Sequence, residues 1–291
     1  MFKKIAHPRQ NKKTVVILSV SSDIGLDLAR RYLKAGYRVV GTYRSATLIR
    51  ELKTMPHCEL FYCDISKKEN IKAFVNKLRK DKLRWQVFIS CVGLPQPLTS
   101  FFKTDFDRWN HSVHVNFIEQ LRVLHALYPL RHLNTVVDAI FFAGPATNNA
   151  IKDMSAYAIS KNALIKMCEL LDAENPDLNI FIVGPGWTKT KTHYSILTDK
   201  EVSKEKFQLT RDFLFNKEGT PLEDIYACIE WLRKQGKEVA GGRNFSVVYD
   251  AWNGQKSKLL AKALRADANV YKLRRFNNDF LVRTVNKINS L

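Results

Sequence analysis

The sequence predicts an α/β fold, a doubly wound parallel sheet of about seven strands with helices on both faces. Two observations lead to this prediction. Short runs rich in β-branched and aromatic residues recur along the chain, and segments with helical periodicity separate them. Strands that alternate with helices pair in parallel and are covered on both faces. Ligands of such sheets bind beyond the carboxyl ends of the strands, at the switch in strand order.

Each element follows from its local pattern. Apolar β-branched runs predict the strands, and apolar positions at helical spacing predict the helices. The last helix follows Thr220 and Pro221, a cap residue and a proline suited to the first helical position. The predicted strands are Thr14–Val20, Arg38–Thr42, Glu59–Cys63, Val87–Cys91, Val136–Ala143, Asn179–Val183 and Asn244–Tyr249. The predicted helices are Gly25–Ala35, Ile71–Leu78, Tyr157–Leu171 and Leu222–Lys234.

The chain divides into three predicted parts. Residues 1–13 form a basic N-terminal extension, residues 14–254 carry the sheet pattern, and residues 255–291 form a basic C-terminal appendage. A length of 291 residues fits one large domain with an appendage. One helical face of the appendage is apolar and is predicted to pack against the body or a second subunit. It consists of Leu259, Leu260, Ala263 and Leu264.

Composition narrows the function classes. Five cysteines, an odd number without a Cys-x-x-Cys pair, predict a reduced, cytoplasmic protein without a metal site. No apolar run reaches the roughly 20 residues that cross a bilayer. The formal net charge of +19 indicates an anionic partner, such as a nucleotide, a sugar phosphate, nucleic acid or an acidic membrane, or merely general solubility. Only this charge supports nucleic acid, since no binding signature for it is present.

The segment Ile17–Arg30 predicts a phosphate-binding turn in which Gly25 is the only glycine. Asp23 stands just before it. Aspartate tolerates left-handed backbone and caps helices, so the bend is expected to survive. A carboxylate about 5 Å from a phosphate costs roughly 3 kcal/mol at an effective dielectric of about 20, and the helix N-terminus offsets about 1 kcal/mol. Cofactor affinity is expected to suffer unless cations help or Asp23 points away.

Tyr157 and Lys161 are four residues apart in a predicted helix, so their side chains lie one above the other. A cation near a phenol favours the phenolate and lowers the phenol pKa from about 10 towards working pH. That change suits a tyrosine to proton exchange with an alcohol or a carbonyl. The spacing alone also occurs by chance in many helices.

Taken in order, the motifs resemble the short-chain dehydrogenase/reductase family over roughly residues 13–254, as a divergent member with a Rossmann-like fold. The resemblance implies a hydride transfer between a nicotinamide cofactor and a secondary alcohol or ketone. It implies that Tyr157 is the general acid/base, that Lys161 lowers its pKa and holds the nicotinamide ribose, and that Asn116 organises a proton-relay water by kinking its helix. The matching segments are the strand–turn–helix around Gly25, Asp64, Cys91–Gly93, Val115–Asn116, Tyr157, Lys161 and Gly184–Thr190.

The resemblance also implies cofactor contacts. Asp64 and Ile65 match the pair that contacts adenine, and the loop at 185–190 matches the one that receives the nicotinamide carboxamide. Simpler interpretations are a helix cap for Asp64, a solvated surface residue for Asn116 and an ordinary loop hydroxyl for Thr190. The predicted cofactor-binding residues are Ser19, Ser21, Ser22, Asp23, Ile24, Gly25, Arg44, Asp64, Ile65, Gly93, Tyr157, Lys161, Pro185, Gly186, Thr188 and Thr190.

Arg44 favours NADP(H) over NAD(H). It directly follows Tyr43, which stands where NAD-selective relatives usually carry an acid. The rigid guanidinium fork suits a ribose 2′-phosphate. The alternative is a solvated arginine at a helix start.

The family pattern is altered at two places near the predicted active site. Ser90 and Cys91 replace two asparagines that tie strands together in relatives, which we interpret as structural drift, while Gly93 keeps the close backbone approach. The family's catalytic serine falls at or beside Gly144, in a segment without serine. Losing such a donor typically costs about 10²–10³ in rate. Thr147, Asn148 or backbone N–H groups around Gly144 are candidate replacements.

Lys189, Lys191 and His193 lie where relatives fold a lid over the substrate. Their charge would suit an anionic substrate, such as a nucleotide sugar, a sugar phosphate or a carboxylate, and the alternative is an ordinary basic surface loop. The predicted substrate-contacting residues are Gly144, Thr147, Lys189 and His193.

Two functions remain open from the sequence. The first is an NADP(H)-dependent oxidoreductase for a small-molecule substrate, assembled as a homodimer or homotetramer through the helix that carries Tyr157. The second is a non-catalytic protein that uses the same scaffold to bind a ligand or partner. The altered positions Ser19, Asp23, Ser90 and Gly144 motivate the second function.

Overall fold

A computed structural model describes residues 12–46, 49–147 and 149–274. Its sheet has the strand order β3-β2-β1-β4-β5-β6-β7, and every neighbouring pair is parallel. The order reverses between β1 and β4, which opens a crevice at their carboxyl ends. This architecture confirms the predicted fold class. The strands are β1 (Thr14–Leu18), β2 (Arg38–Tyr43), β3 (Cys58–Tyr62), β4 (Val87–Ser90), β5 (Val137–Phe142), β6 (Leu178–Gly184) and β7 (Asn244–Ser246).

Helices connect the strands and cover both faces of the sheet. A π-helical turn at His114–Ile118 joins α3 to α4. The helices in the described ranges are α1 (Asp23–Lys34), α2 (Lys68–Lys80), α3 (Phe106–Val113), α4 (Glu119–Leu127), α5 (Ser155–Glu174), α6 (Lys191–Leu197), α7 (Lys204–Asn216), α8 (Leu222–Gln235), α9 (Lys237–Ala240) and α10 (Ser257–Ala266).

The sheet is buried on both faces, as the alternation along β1 illustrates. Val15 and Ile17 pack with the apolar sides of α1, α8 and α10. Val16 and Leu18 pack with those of α2, α4 and α5. All four side chains are fully buried. Because both faces need apolar side chains, the strands appear in the sequence as continuous apolar runs.

The predicted element boundaries differ from the observed ones by at most three residues. At the start of α8 the predicted cap is wrong. Pro221, not Thr220, occupies the N-cap position, with extended backbone and no side-chain hydrogen bond to the helix. The helix therefore begins one residue later than a proline at the first helical position would place it.

The appendage packs against the body through α10. Ala261 and Leu264 are buried in the core, whereas Leu259 is 69% exposed, so the predicted apolar face is rotated from the observed one. The buried Arg243 fixes this arrangement because its guanidinium donates to the carbonyls of Leu264 and Asp267 on one side and to that of Val239 on the other. Residues 1–11 of the predicted N-terminal extension lie outside the described residues.

A search of the described ranges finds no helix that is long and apolar enough to span a membrane. The same ranges contain no group of three or more His, Cys, Asp or Glu side chains that could hold a metal ion. All five cysteines are unpaired thiols.

Candidate functional site

The turn after β1 has the shape expected of a phosphate-binding turn, but a different residue takes the left-handed conformation. Ser19 has φ of +60°. Ser22 caps α1 because its Oγ accepts a hydrogen bond from the Gly25 N–H at 3.0 Å. Asp23 is the first residue of α1, so the prediction that Asp23 takes the left-handed backbone and caps the helix is wrong. Any side chain at Gly25 would overlap the Ser19 carbonyl oxygen, which explains why this glycine is retained.

Asp23 points towards the segment after β6. Its Oδ2 accepts a hydrogen bond from the backbone N–H of Lys191, the first residue of α6, at 3.0 Å. Lys191 also reaches back with its side chain, since Nζ donates to the carbonyl of Ser21 at 2.5 Å. The turn after β1 and the start of α6 are therefore joined across the crevice.

Tyr157 and Lys161 lie on α5 and face the carboxyl ends of β4 and β5. Lys161 is 2% exposed, and its Nζ donates to the Val92 carbonyl at 3.1 Å while lying 5.6 Å from the centroid of the Tyr157 ring. Burial lowers the pKa of Lys161 to about 8 and raises the pKa of Tyr157 to about 12. The expectation of a lowered phenol pKa is therefore wrong for this arrangement, in which burial raises the phenol pKa. At neutral pH the phenol holds its proton.

Gly144 follows β5 and lies directly against the phenol ring. A Cβ at this position would be 2.5 Å from Tyr157 Cε1 and 3.0 Å from Lys161 Cγ. The Tyr157 ring occupies the space that a side chain at position 144 would need, so a serine at this position is incompatible with the observed position of the phenol. The Thr147 hydroxyl turns back to the Gly144 carbonyl at 3.5 Å, a marginal distance. Asn148 lies outside the described residues.

We expect Gly144→Ser to damage the site rather than repair it. The new Cβ would force the phenol ring to shift, and overpacking of this kind typically costs about 1–3 kcal/mol. Unfolding by urea should therefore show reduced stability, and turnover should fall. Gly93→Ala is the matched control for stability, since its Cβ would meet Tyr157 Oη at 3.7 Å, an ordinary contact. A Gly144→Ser protein with unchanged stability and higher turnover would contradict this interpretation.

Asn116 is fully buried within the π-helical turn, so it is not a solvated surface residue. Its Oδ1 accepts from the Leu94 N–H at 2.8 Å, and its Nδ2 donates to the Leu94 carbonyl at 2.8 Å and to Ser112 Oγ at 3.1 Å. These bonds hold the loop after β4, including Gly93, beside Tyr157. The irregular helix agrees with the kink that the family resemblance implies, and the proton-relay role stays a prediction.

Ser90 has a definite partner, so its interpretation as structural drift is wrong. Its hydroxyl donates to Gln120 Oε1 at 2.6 Å, and Gln120 Nε2 donates to the Asn116 carbonyl at 2.6 Å. Both side chains are fully buried. A chain of hydrogen bonds therefore runs from the end of β4 to the π-helical turn and fixes Asn116. Gln120, four residues after Asn116, was missed by sequence reasoning.

Asp64 follows β3 and forms a local turn. Its Oδ1 accepts from the Ser66 N–H at 3.0 Å and from Ser66 Oγ at 2.7 Å. Burial acts to raise the Asp64 pKa, but these bonds and the charges of Arg44 and Lys67 outweigh it and lower the pKa. Arg44 is exposed and Ile65 is buried. The turn-forming role is thus established, and the contacts of Asp64, Ile65 and Arg44 with a cofactor stay predictions.

The loop after β6 holds the third part of the site. Gly186 has φ of +74°, and a side chain there would meet Val248 Cγ2 at 2.5 Å, so the position requires glycine. Next to it, the Thr188 hydroxyl is buried, and no described residue forms a hydrogen bond with it. Such an orphaned donor and acceptor fits the amide of a nicotinamide carboxamide. Thr190 Oγ1 lies 3.2 Å from His193 Nδ1.

Of the two basic residues predicted to contact substrate, His193 packs against aromatic rings and Lys189 is exposed. His193 packs between Trp187 and Phe213, with ring centroids 5.7 and 5.1 Å away, and burial lowers its pKa. It is therefore neutral at pH 7 and does not supply the predicted positive charge. Lys189 is exposed.

A different cation, Lys206 of α7, has a buried Nζ that forms no hydrogen bond within the described ranges. Burial lowers its pKa, and the charge of Asp153 opposes that effect. Sequence reasoning missed this lysine because nothing in the local pattern distinguishes it from other basic residues of the same helix.

Apolar side chains cover the phenol. Leu98, Met154 and Ile196 form a small buried cluster, and Tyr157 and Val202 pack against it. Because Ile196 lies on α6, the segment that is joined to the turn after β1 also encloses the phenol. The predicted catalytic residues, the phosphate-binding turn and the loop after β6 are thereby brought together at the carboxyl ends of β1, β4, β5 and β6.

Comparison with known proteins agrees with this geometry. The chain is 23% identical to "Dehydrogenase/reductase SDR family member 4" of Rattus norvegicus over 249 residues, which cover 83% of this chain and 87% of the relative. A short-chain dehydrogenase/reductase from Saccharomyces cerevisiae superposes with a TM-score of 0.74 at 20% identity, covering 82% of this chain and 97% of that one. A 4-hydroxyisoleucine dehydrogenase complexed with NADH has a TM-score of 0.68 at 20% identity, covering 81% and 96%.

The two structural likenesses show a shared fold. The description "short chain dehydrogenase" belongs to the family whose model matches residues 13–201 of this chain. That match spans well over half of the sequence, and it contains the turn after β1, the π-helical turn and the Tyr157–Lys161 pair. This chain belongs to the short-chain dehydrogenase family.

Proposed function

We propose that this protein is an oxidoreductase that uses a nicotinamide cofactor, with NADP(H) preferred, to reduce a ketone or to oxidise a secondary alcohol. The observation that carries the proposal is the pair formed by the half-buried Tyr157 and the buried Lys161, beside Asn116 at the carboxyl ends of the strands. Asn116 is fixed by a buried chain of hydrogen bonds, which a purely structural helix would not require. The orphaned Thr188 hydroxyl supports a nicotinamide at the same end of the sheet.

The proton chemistry falls to Tyr157. A bound cofactor would supply the hydride, and the phenol would donate its proton to the oxygen of the substrate. Because burial raises the pKa of Tyr157 to about 12, the protonated form that reduction requires is the one present at neutral pH. Oxidation would need the phenolate. This protonation state suits the reductive direction. Lys161 would hold the ribose, and Thr188 would pair with the carboxamide.

An anionic substrate is supported by Lys206. A buried ammonium without a hydrogen-bond partner is costly, and a carboxylate or phosphate of a substrate would satisfy it. Asp153, whose charge acts on Lys206, directly precedes Met154 of the cluster that covers the phenol. We therefore propose that the substrate carries an anionic group, with sugar phosphates and nucleotide sugars among the candidates.

Turnover on matched carbonyl compounds tests the proposed function. NADPH consumption should be measured with 2-oxo acids and their methyl esters, and with sugar phosphates and the corresponding free ketoses. We expect turnover with at least one anionic compound and weaker turnover with its neutral partner. Binding of NADPH without turnover on any compound would instead support a non-catalytic binding protein. The apolar cover over the phenol and the absence of a hydroxyl at Gly144 favour that alternative.

Arg44→Ala should change cofactor preference. Arg44 is exposed immediately after β2, and we propose that it binds the 2′-phosphate of NADP(H). Removing a charge-assisted contact of this kind should weaken NADPH binding by about tenfold and leave NADH binding nearly unchanged. Fluorescence titration with both cofactors measures the ratio. An equal loss for NADPH and NADH would count against a 2′-phosphate contact.

Exposed apolar side chains and the unpaired cysteines bear on the oligomeric state and the location of the protein. Ile159 and Leu170 on α5 are 54% and 45% exposed, which supports a homo-oligomer paired through that helix. Five unpaired thiols fit a reducing compartment, and we propose the cytoplasm.

A further inference from the structure

The contact between Lys191 and the turn after β1 joins two segments that lie about 170 residues apart in the sequence. The Lys191 N–H donates to Asp23 Oδ2, and its Nζ donates to the carbonyl of Ser21, which is itself buried. The ammonium is thereby held on the segment of chain that would receive the diphosphate of a dinucleotide. In the free protein it is bonded to a neutral carbonyl rather than to an acid.

This contact bears on the electrostatic problem that Asp23 creates. A carboxylate in a diphosphate-binding turn repels the ligand, so a compensating cation is required. The basic groups near the crevice differ in their availability for that role. Lys161 Nζ is bonded to the Val92 carbonyl, whereas Arg44, Lys189 and Lys191 are all exposed residues. Lys191 is the lysine whose ammonium already lies on the turn.

We propose that Lys191 binds the diphosphate of the cofactor and that Asp23 positions it by accepting its backbone N–H. This inference rests on the proposed function, since it concerns the same cofactor. On binding, the ammonium exchanges the Ser21 carbonyl for an anionic oxygen, which is the stronger acceptor. Asp23 repels the diphosphate, but it also holds the backbone of Lys191, whose ammonium attracts the diphosphate.

Binding of the diphosphate and closure over the phenol are then coupled. Lys191 begins α6, and Ile196 on the same helix packs in the cluster that covers Tyr157. A ligand that holds Lys191 also holds Ile196 in place. Lys191, from the segment after β6, therefore contributes to diphosphate binding at a turn that lacks most of the glycines suited to this role.

Lys191→Met and Asp23→Asn test the proposal by direct binding. NADPH, ADP and adenosine should be titrated calorimetrically into each full-length variant. Lys191→Met is expected to weaken NADPH and ADP by about tenfold and to leave adenosine, which has no phosphate, unchanged. Asp23→Asn keeps an oxygen for the Lys191 N–H but removes the charge, so it should bind ADP several-fold more tightly.

Lys200→Met is the matched control. Lys200 lies between α6 and α7, carries the same charge, is exposed, and makes no hydrogen bond or ion pair with the described residues. The Lys200→Met substitution should change ADP affinity less than twofold. Circular dichroism confirms that each variant is folded, and Lys191→Arg, which keeps the charge, should retain most of the affinity.

The outcomes separate this inference from the proposed function. Equal ADP affinities for Lys191→Met and Lys200→Met would overturn the inference alone. Wild-type protein that binds ADP through Lys191 but binds neither NADPH nor NADH would overturn the proposed function and retain the diphosphate site. Failure of the wild type to bind any of these nucleotides would overturn both.

Discussion

Tyr157→Phe is expected to lower turnover by about 10²–10⁴-fold, the usual contribution of a general acid. The substitution removes only the hydroxyl, so the ring still fills the space beside Gly144, and NADPH affinity should stay within about twofold of the wild type. NADPH consumption with the best carbonyl substrate and fluorescence titration of the cofactor measure the two quantities separately. If the phenol acts on the substrate oxygen, kcat falls while cofactor affinity is retained.

Tyr249→Phe provides the control for that experiment. Tyr249 is 90% exposed, and the same chemical change there should leave both quantities unaltered. A Tyr157→Phe protein with more than a tenth of wild-type kcat would show that the proton comes from another group. That result would also favour the alternative function, a non-catalytic binding protein in which Tyr157 and Lys161 have no chemical role.

Lys161→Met is expected to stabilise the fold while it removes activity. Burial lowers the pKa of the Lys161 ammonium from its ordinary value of 10.5 to about 8, so burying its charge costs roughly 3 kcal/mol at neutral pH. Methionine fills a similar volume without a charge. Losing the hydrogen bond to the Val92 carbonyl offsets about 1 kcal/mol, which leaves a net gain of about 2 kcal/mol in the free energy of unfolding. Urea unfolding at pH 7 measures this gain.

The pH dependence identifies the source of that gain. A lysine whose folded pKa is depressed destabilises the folded state fully below about pH 8, and the penalty fades as pH rises to the unfolded value of 10.5. The stability difference between Lys161→Met and the wild type should therefore be largest below pH 8 and shrink towards pH 10.5. A Lys161→Met protein less stable than the wild type at pH 7 would refute the desolvation argument.

The fold was predictable because its signals are local. Apolar runs and helical spacing are properties of neighbouring residues, and both faces of the sheet are covered, so the strands appear as uninterrupted apolar segments. The order of motifs around Tyr157 and Lys161 then indicated the family. Asn116 was found in the same way, and its buried position in a π-helical turn agrees with the expected kink.

The details of the site depend on contacts between distant residues, which one sequence does not reveal. The absence of a side chain at Gly144 looked like a loss, but in the structure it makes room for the ring of Tyr157. Asp23 looked like an obstacle to phosphate, yet it holds the backbone of Lys191. The phenol pKa is raised rather than lowered because the phenol is desolvated, while the ammonium of Lys161 bonds to the Val92 carbonyl.

Calorimetric titration of NADPH into the full-length wild-type protein at low ionic strength tests the central claim most directly. The claim is that an altered turn, the Tyr157–Lys161 pair and the loop after β6 still form one nicotinamide-cofactor site. The account predicts saturable binding of one NADPH per chain at submillimolar concentration, with NADH binding more weakly. Absence of heat and of saturation for both cofactors up to millimolar concentration would contradict it.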